Sequence, residues 1–175
     1  MRYGLALKRR AAARLRPAVL AMALASATLG CGGPSHLAST INMGDAQAAA
    51  QLSSGFYGVE QNSWRWTRRE FSVTLGAPAG AAQKGAVLRA RVTAPPPLID
   101  KLADITLSAK VNGQQLAPET YNAAGTYVFT RDVPAGLLAV SPVKVDFQLD
   151  KVMPPAGEDL RELGIVVLSI GLESK

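Results

Sequence analysis

Period-two alternation of apolar and polar residues governs the chain past Gly55. Ile105, Leu107, Ala109 and Val111 alternate with Thr106, Ser108 and Lys110, and Asn112-Gly113 follows as a type I′ hairpin signal with a short return strand over residues 114–117. Val143, Val145, Phe147 and Leu149 alternate with Lys144, Asp146 and Gln148. Leu88, Ala90 and Val92 point one way and Arg89 and Arg91 the other. Residues 126–131 are β-branched and aromatic, and residues 165–172 are apolar on both parities, as expected of a strand covered on both faces. Trp64 and Trp66 share one parity whereas Phe71, Val73 and Leu75 share the other, which predicts two short strands divided by a bulge or tight turn at residues 68–70. Pro95, Pro96 and Pro97 cannot continue a central strand, and residues 98–103 read as one helical turn. Residues 77–85, 132–139 and 153–157 read as turns and loops. About eight short strands without a long helix predict an all-β domain over residues 55–175. The expected architecture is a two-sheet antiparallel sandwich of jelly-roll type.

Upstream the pattern changes. Residues 1–16 carry Arg2, Lys8, Arg9, Arg10, Arg14 and Arg16, and residues 17–30 form an uncharged apolar run that ends at Cys31. That run is shorter than the ~20 residues a transmembrane helix needs and has the length of a signal-peptide core. Leu29-Gly30-Cys31 resembles the lipobox of bacterial lipoproteins, which implies diacylation of Cys31, although Thr28 stands where the pattern prefers a branched apolar residue. Ala25-Ser26-Ala27 offers a rival cleavage site, and both cuts imply export. Residues 32–54 are rich in Gly, Ala and Ser, with a short helix about residues 45–52, and read as a flexible tether. A lipid on Cys31 would make a membrane of the cell envelope, outer more than inner since Gly32 follows the Cys, the first partner of the chain.

Charge and composition narrow the function classes. The net charge of +6 invites a nucleic-acid reading, but six of the nineteen basic residues lie in the leader and no acidic residue precedes Asp45. The rest carries thirteen basic and thirteen acidic residues, so nucleic acid is not an expected partner. The one Cys allows no intramolecular disulfide. The one His, His36, falls in the tether, leaving no Ser-His-Asp or Cys-His constellation and no His-based metal site. With no Gly-rich phosphate loop either, no cofactor and no catalytic residue is assigned.

What remains is concentrated in two stretches. Residues 55–75 contain two Trp, two Phe, one Tyr, three Arg and two Glu, and residues 159–173 open with Asp159, Arg161 and Glu162 ahead of the last strand. The bland reading of these charges is ion pairing: Asp159 or Glu162 with Arg65, Arg68 or Arg69, fastening the stretches together. A glycosidase would need two carboxylates, such as Glu60 with Asp159 or Glu162, facing each other across a cleft at roughly 5 to 9.5 Å. Phe56, Tyr57, Trp64 and Trp66 beside polar groups suit the apolar face and hydroxyl rim of a sugar ring. The same rings also suit sheet packing, Trp66 more than Trp64. The candidate ligand-binding set is therefore Tyr57, Glu60, Trp64, Trp66, Asp159 and Arg161.

Gly55-Phe56-Tyr57, then Glu60, then Trp64-Arg65-Trp66, followed by Asp159, Arg161-Glu162-Leu163-Gly164 and an apolar strand, resembles a β-sandwich module attached to bacterial glycosyltransferases and methyltransferases of surface-polysaccharide clusters. The resemblance spans residues 55–173 and implies a non-catalytic accessory domain associated with glycans. In the fused proteins the reaction belongs to a transferase domain, whereas here an export leader precedes the module. The expected function is thus an exported, lipid-anchored module contacting cell-surface polysaccharide. The alternative is a structural lipoprotein that binds another envelope protein through a sheet edge or loop face.

Overall fold

Burying every second residue turns each alternating stretch into a strand, and backbone groups freed from water must then pair with a neighbouring strand. The computed structural model describes Met1 and residues 37–175, the latter within a unit running from Pro34 to Lys175. Its strands are β1 (Thr40–Asn42), β2 (Leu52–Glu60), β3 (Trp64–Leu75), β4 (Ala86–Ala94) and β5 (Ile105–Val111). They continue with β6 (Gln114–Gln115), β7 (Glu119–Tyr121), β8 (Gly125–Val133), β9 (Val143–Leu149) and β10 (Val166–Ser174). Two short helices, α1 (Ala81–Lys84) and α2 (Pro96–Leu102), interrupt them; α2 begins on prolines, which lack the N–H that a first helical turn leaves unpaired anyway. The fold is all-β. Residues 2–36, which hold Cys31 and nearly all of the leader expected from the sequence, lie outside the described residues.

All ten strands belong to one antiparallel sheet, in the order β6-β5-β9-β3-β10-β4-β8, with β1 on β10, β2 on β3 and β7 on β5. The expected division into two separate sheets is therefore replaced by one sheet that curls. The curl is built on β3, which pairs with β2 along one edge and divides its other edge between two strands. Arg65 and Trp66 face β10, whereas Glu70 to Leu75 face β9. Between these segments the register with β2 shifts, where the sequence predicts a break; the residues form one continuous strand that changes partners. The parity change has a simpler cause than a break. Thr67, Phe71, Val73 and Leu75 are buried on the inner face, and Trp64 and Trp66 stand on the outer one.

Curling brings the two ends of the sheet face to face. Phe71 stacks on its cross-strand partner Phe147 with centroids 4.9 Å apart, and Phe129 of β8 meets Phe147 edge-on at 6.3 Å. Around these rings lie Leu75, Leu88, Ile105, Leu107, Leu149, Ile165 and Ile170, all fully buried. At Asn112-Gly113 both residues have positive φ, 46° and 86°, as the predicted type I′ turn requires.

The tether expected over residues 32–54 is folded from Thr40 onward. β1 pairs with Ser169 to Gly171 of β10, and Ile41, Met43 and Ala48 are in the core. Gly171 permits this contact, since a Cβ there would lie 2.2 Å from Thr40 Oγ1. The helix expected near residues 45–52 is a 3₁₀ helix, Ala46–Gln51. Gln51 closes the segment: its Nε2 donates to the carbonyls of Ala38 (2.9 Å) and Thr74 (2.8 Å), and its Oε1 accepts from Ala38 N–H (2.9 Å). Among the described residues no helix is long and apolar enough to cross a membrane.

Candidate functional site

The β2–β3 hairpin turns at Gln61 and Asn62, both with positive φ (49° and 52°), and its register places Glu60 directly across from Trp64. Trp64, Trp66 and Arg68 follow one another on the outer face of β3, alternating with Arg65 and Thr67. Trp64 and Trp66 are half-buried and meet edge-on with centroids 6.2 Å apart. Tyr57 of β2 is held between two arginines, the guanidinium carbons of Arg68 and Arg161 lying 5.2 and 5.4 Å from its ring centroid. Such cation–π contacts hold both ring and guanidinium in place. Phe56, on the other parity, turns inward and meets Phe71 edge-on at 5.3 Å, so it is a core residue and not part of this surface.

Arg161 ties the second stretch to the first. Its Nη1 donates to Glu60 Oε1 at 2.9 Å, its Nη2 to Asp159 Oδ2 at 2.9 Å and its Nε to Asp159 Oδ1 at 3.0 Å. Two parallel N–H···O bonds to Asp159 make this a fork-to-fork pair, and Glu60 takes a remaining donor. The side-chain hydrogen bond from Arg161, followed by that from its backbone N–H, holds the Asp159 carboxyl below the usual carboxylate range. The bonds to Asp159 first and Glu60 second keep Arg161 firmly protonated. The triad carries two negative charges and one positive and stays part-exposed, so it presents acceptor oxygens to solvent beside the aromatic rings.

The residues after Arg161 latch the same loop to β3. Glu162 Oε1 accepts the backbone N–H of Arg69 at 2.8 Å. Gly164 N–H donates to Thr67 O at 2.8 Å, where a side chain would not fit: a Cβ would lie 2.7 Å from Thr67 Oγ1 and 2.8 Å from Arg68 O. The fastening anticipated for these charges thus exists with other partners. Arg65 donates instead to the carbonyls of Met43 (3.2 Å) and Tyr57 (3.0 Å), and Arg69 Nη1 to Asp150 O.

Of the six residues singled out in the sequence, Tyr57, Glu60, Asp159 and Arg161 meet at one place, and Trp64 stands across from Glu60 on the adjoining strand. Trp66 continues that surface along β3. Arg68 was missed there, although its even parity with Trp64 and Trp66 was the available signal. Neither the cavity over the β9 half of the sheet nor the one beside residues 37–51 is lined by a tryptophan; the two rings form a half-exposed platform on the outer face of β3. Among the described residues no group of three or more His, Cys, Asp or Glu could hold a metal ion.

No protein-family profile matches the chain, and no curated protein does. Among solved structures the chain is similar to part of the cycloalternan-forming enzyme from Listeria monocytogenes in complex with pentasaccharide substrate, at 15% identity and a TM-score of 0.36. The match covers 70% of this chain and 10% of that one, so the chain spans a small fraction of the protein it resembles.

Proposed function

We propose that this protein is an exported, non-catalytic β-domain that binds cell-surface polysaccharide through the outer face of the β2–β3 hairpin. One observation carries the reading: Trp64 and Trp66 stand half-exposed edge to edge, with Glu60 across from Trp64 and joined through Arg161 to Asp159 and to the ring of Tyr57. Aromatic faces accept the C–H face of a sugar ring while adjacent charged groups bond its hydroxyls. Arg161 supports the non-catalytic part, because one guanidinium engages both Glu60 and Asp159 where a glycosidase would hold two carboxylates apart for acid and base work. Export and a diacyl anchor on Cys31 belong to the same reading and rest on the sequence pattern of the leader.

Affinity electrophoresis of the full chain tests it. Migration is expected to be retarded in gels cast with a recognised polysaccharide, and Trp64→Ala to restore free mobility. Retardation by none of a broad panel would overturn the reading. In that case a protein partner in the envelope becomes the better account, and Leu160, 83% exposed at the loop tip beside Arg161, is the observation that favours it.

A further inference from the structure

The outer face of β3 does not end with the aromatic platform. Past Arg68 the same parity continues with Glu70, Ser72 and Thr74, and here β3 leaves β10 and lies against β9. A groove of about 360 Å³ opens over this half of the sheet, across β2, β3, β9, β5 and β6. It falls within the roughly 300–1,000 Å³ usual for small-ligand sites.

Strand register fixes how its polar groups are laid out. Glu70, Gln148 and Ser108 stand in one row across β3, β9 and β5, and Ser72, Asp146 and Lys110 stand in the next. Neighbouring groups in a row are about 4.8 Å apart, the strand spacing, and rows about 7 Å apart, two residues along a strand. Glu70, Ser108, Lys110 and Gln148 make no side-chain hydrogen bond to another of the described residues, so their donors and acceptors are open to a ligand. Ser72, only 5% exposed, bonds Ser54 Oγ at 2.9 Å at the groove's edge. The lining is balanced, Lys110 and Lys144 against Glu70 and Asp146, and Lys144 Nζ is already paired with Asp146 Oδ1 at 2.8 Å. A groove with no net charge and with donors and acceptors interspersed suits a ligand dense in neutral hydroxyl groups better than a polyanion, for which Glu70 and Asp146 offset Lys110, the one cation of the lining unpaired among the described residues.

We infer that this groove is a second binding subsite, taking neutral sugar residues of the same polysaccharide chain that rests on the platform. The inference rests on the polysaccharide-binding reading and extends it. From Trp64 to Thr74 the outer face of β3 runs about 33 Å at the usual strand rise, so the ligand is an extended chain of several sugar rings. Its two subsites differ in kind: the platform contributes stacking and the groove contributes hydrogen bonds.

The test uses the full chain in gels cast with soluble starch, dextran, xylan or galactomannan as neutral polysaccharides and alginate as the acidic comparator. Two groove variants are compared with Trp64→Ala: Lys110→Ala with Gln148→Ala, which removes open donors, and Ser108→Phe, which fills the groove. Thermal melts establish that each remains folded. Both groove variants are expected to weaken binding of the neutral polysaccharide about tenfold, the effect of losing one to two hydrogen bonds. Wild-type affinity in both groove variants, with binding lost in Trp64→Ala, would overturn the second subsite and leave the platform reading intact. Weakening in the groove variants with no effect of Trp64→Ala would support the groove and overturn the platform. Preference for alginate would overturn the neutral-ligand assignment, and no retardation in any gel would overturn both readings.

Discussion

Arg161 Nη1 and Glu60 Oε1 lie 2.9 Å apart although 101 residues separate them in sequence, and this bond joins the loop before β10 to the β2–β3 hairpin. Arg161 is about a third exposed, so its worth is that of a small surface network and not of a buried pair. Arg161→Ala should cost about 1 kcal/mol in denaturant unfolding. Arg161→Lys should recover only part of it, because a point ammonium cannot reproduce the fork on Asp159.

The triad also predicts a pH dependence. Asp159 has a depressed carboxyl pKa in the folded chain, so its contribution is fully present above the unfolded value of about 3.9 and is lost as pH falls through the folded value. Melting temperatures of wild type and Asp159→Asn should therefore differ at neutral pH and converge in strong acid. A constant gap across the acid range would mean that Asp159 acts through packing or local backbone geometry instead.

A version starting at Gly55 should be far less stable than one that keeps residues 37–54. It would lose β1 and the fully or nearly fully buried Ile41, Met43 and Ala48, and would leave Thr74 O without Gln51. Losing core side chains of this size costs more than about 3 kcal/mol. Circular dichroism melts of the two versions check it.

How far the sequence reveals this fold depends on where each element gets its stability. β5 and β9 are legible because each alternates cleanly over seven residues, with one face in the core and one in water. β1 is not: three residues within a run of Ala, Ser and Gly carry no period, and their place is set by Gly171 and Gln51, far away in sequence. Parity in β3 was visible, but its meaning depends on which face Trp64 and Trp66 take, and large aromatic residues suit either. The two charged stretches could be recognised as partners. That Arg161 makes the link, with Arg65 and Arg69 occupied by carbonyls, follows from the course of a loop that no local pattern encodes.

Tyr121 offers an independent check on the core. Its ring stacks on Tyr127 at 4.6 Å, yet its hydroxyl is buried and finds no hydrogen-bond partner among the described residues. Burial raises the pKa of this phenol. An unsatisfied buried hydroxyl costs about 1–3 kcal/mol, so Tyr121→Phe, which keeps the ring, should be neutral or stabilising by up to about 1 kcal/mol in denaturant unfolding. A clear loss of stability would reveal a partner for that hydroxyl.

The chain contains two tryptophans, and both stand on the proposed platform, so its tryptophan emission, excited selectively over that of its four tyrosines, reports on that surface alone. The most direct measurement is a titration of the full chain with whichever neutral polysaccharide retards it in affinity gels, following tryptophan emission. A saturable change, with the same midpoint as the retardation and reduced by half or more in Trp64→Ala, is the predicted result. Retardation with no change in emission would place the sugar away from Trp64 and Trp66 and contradict the account.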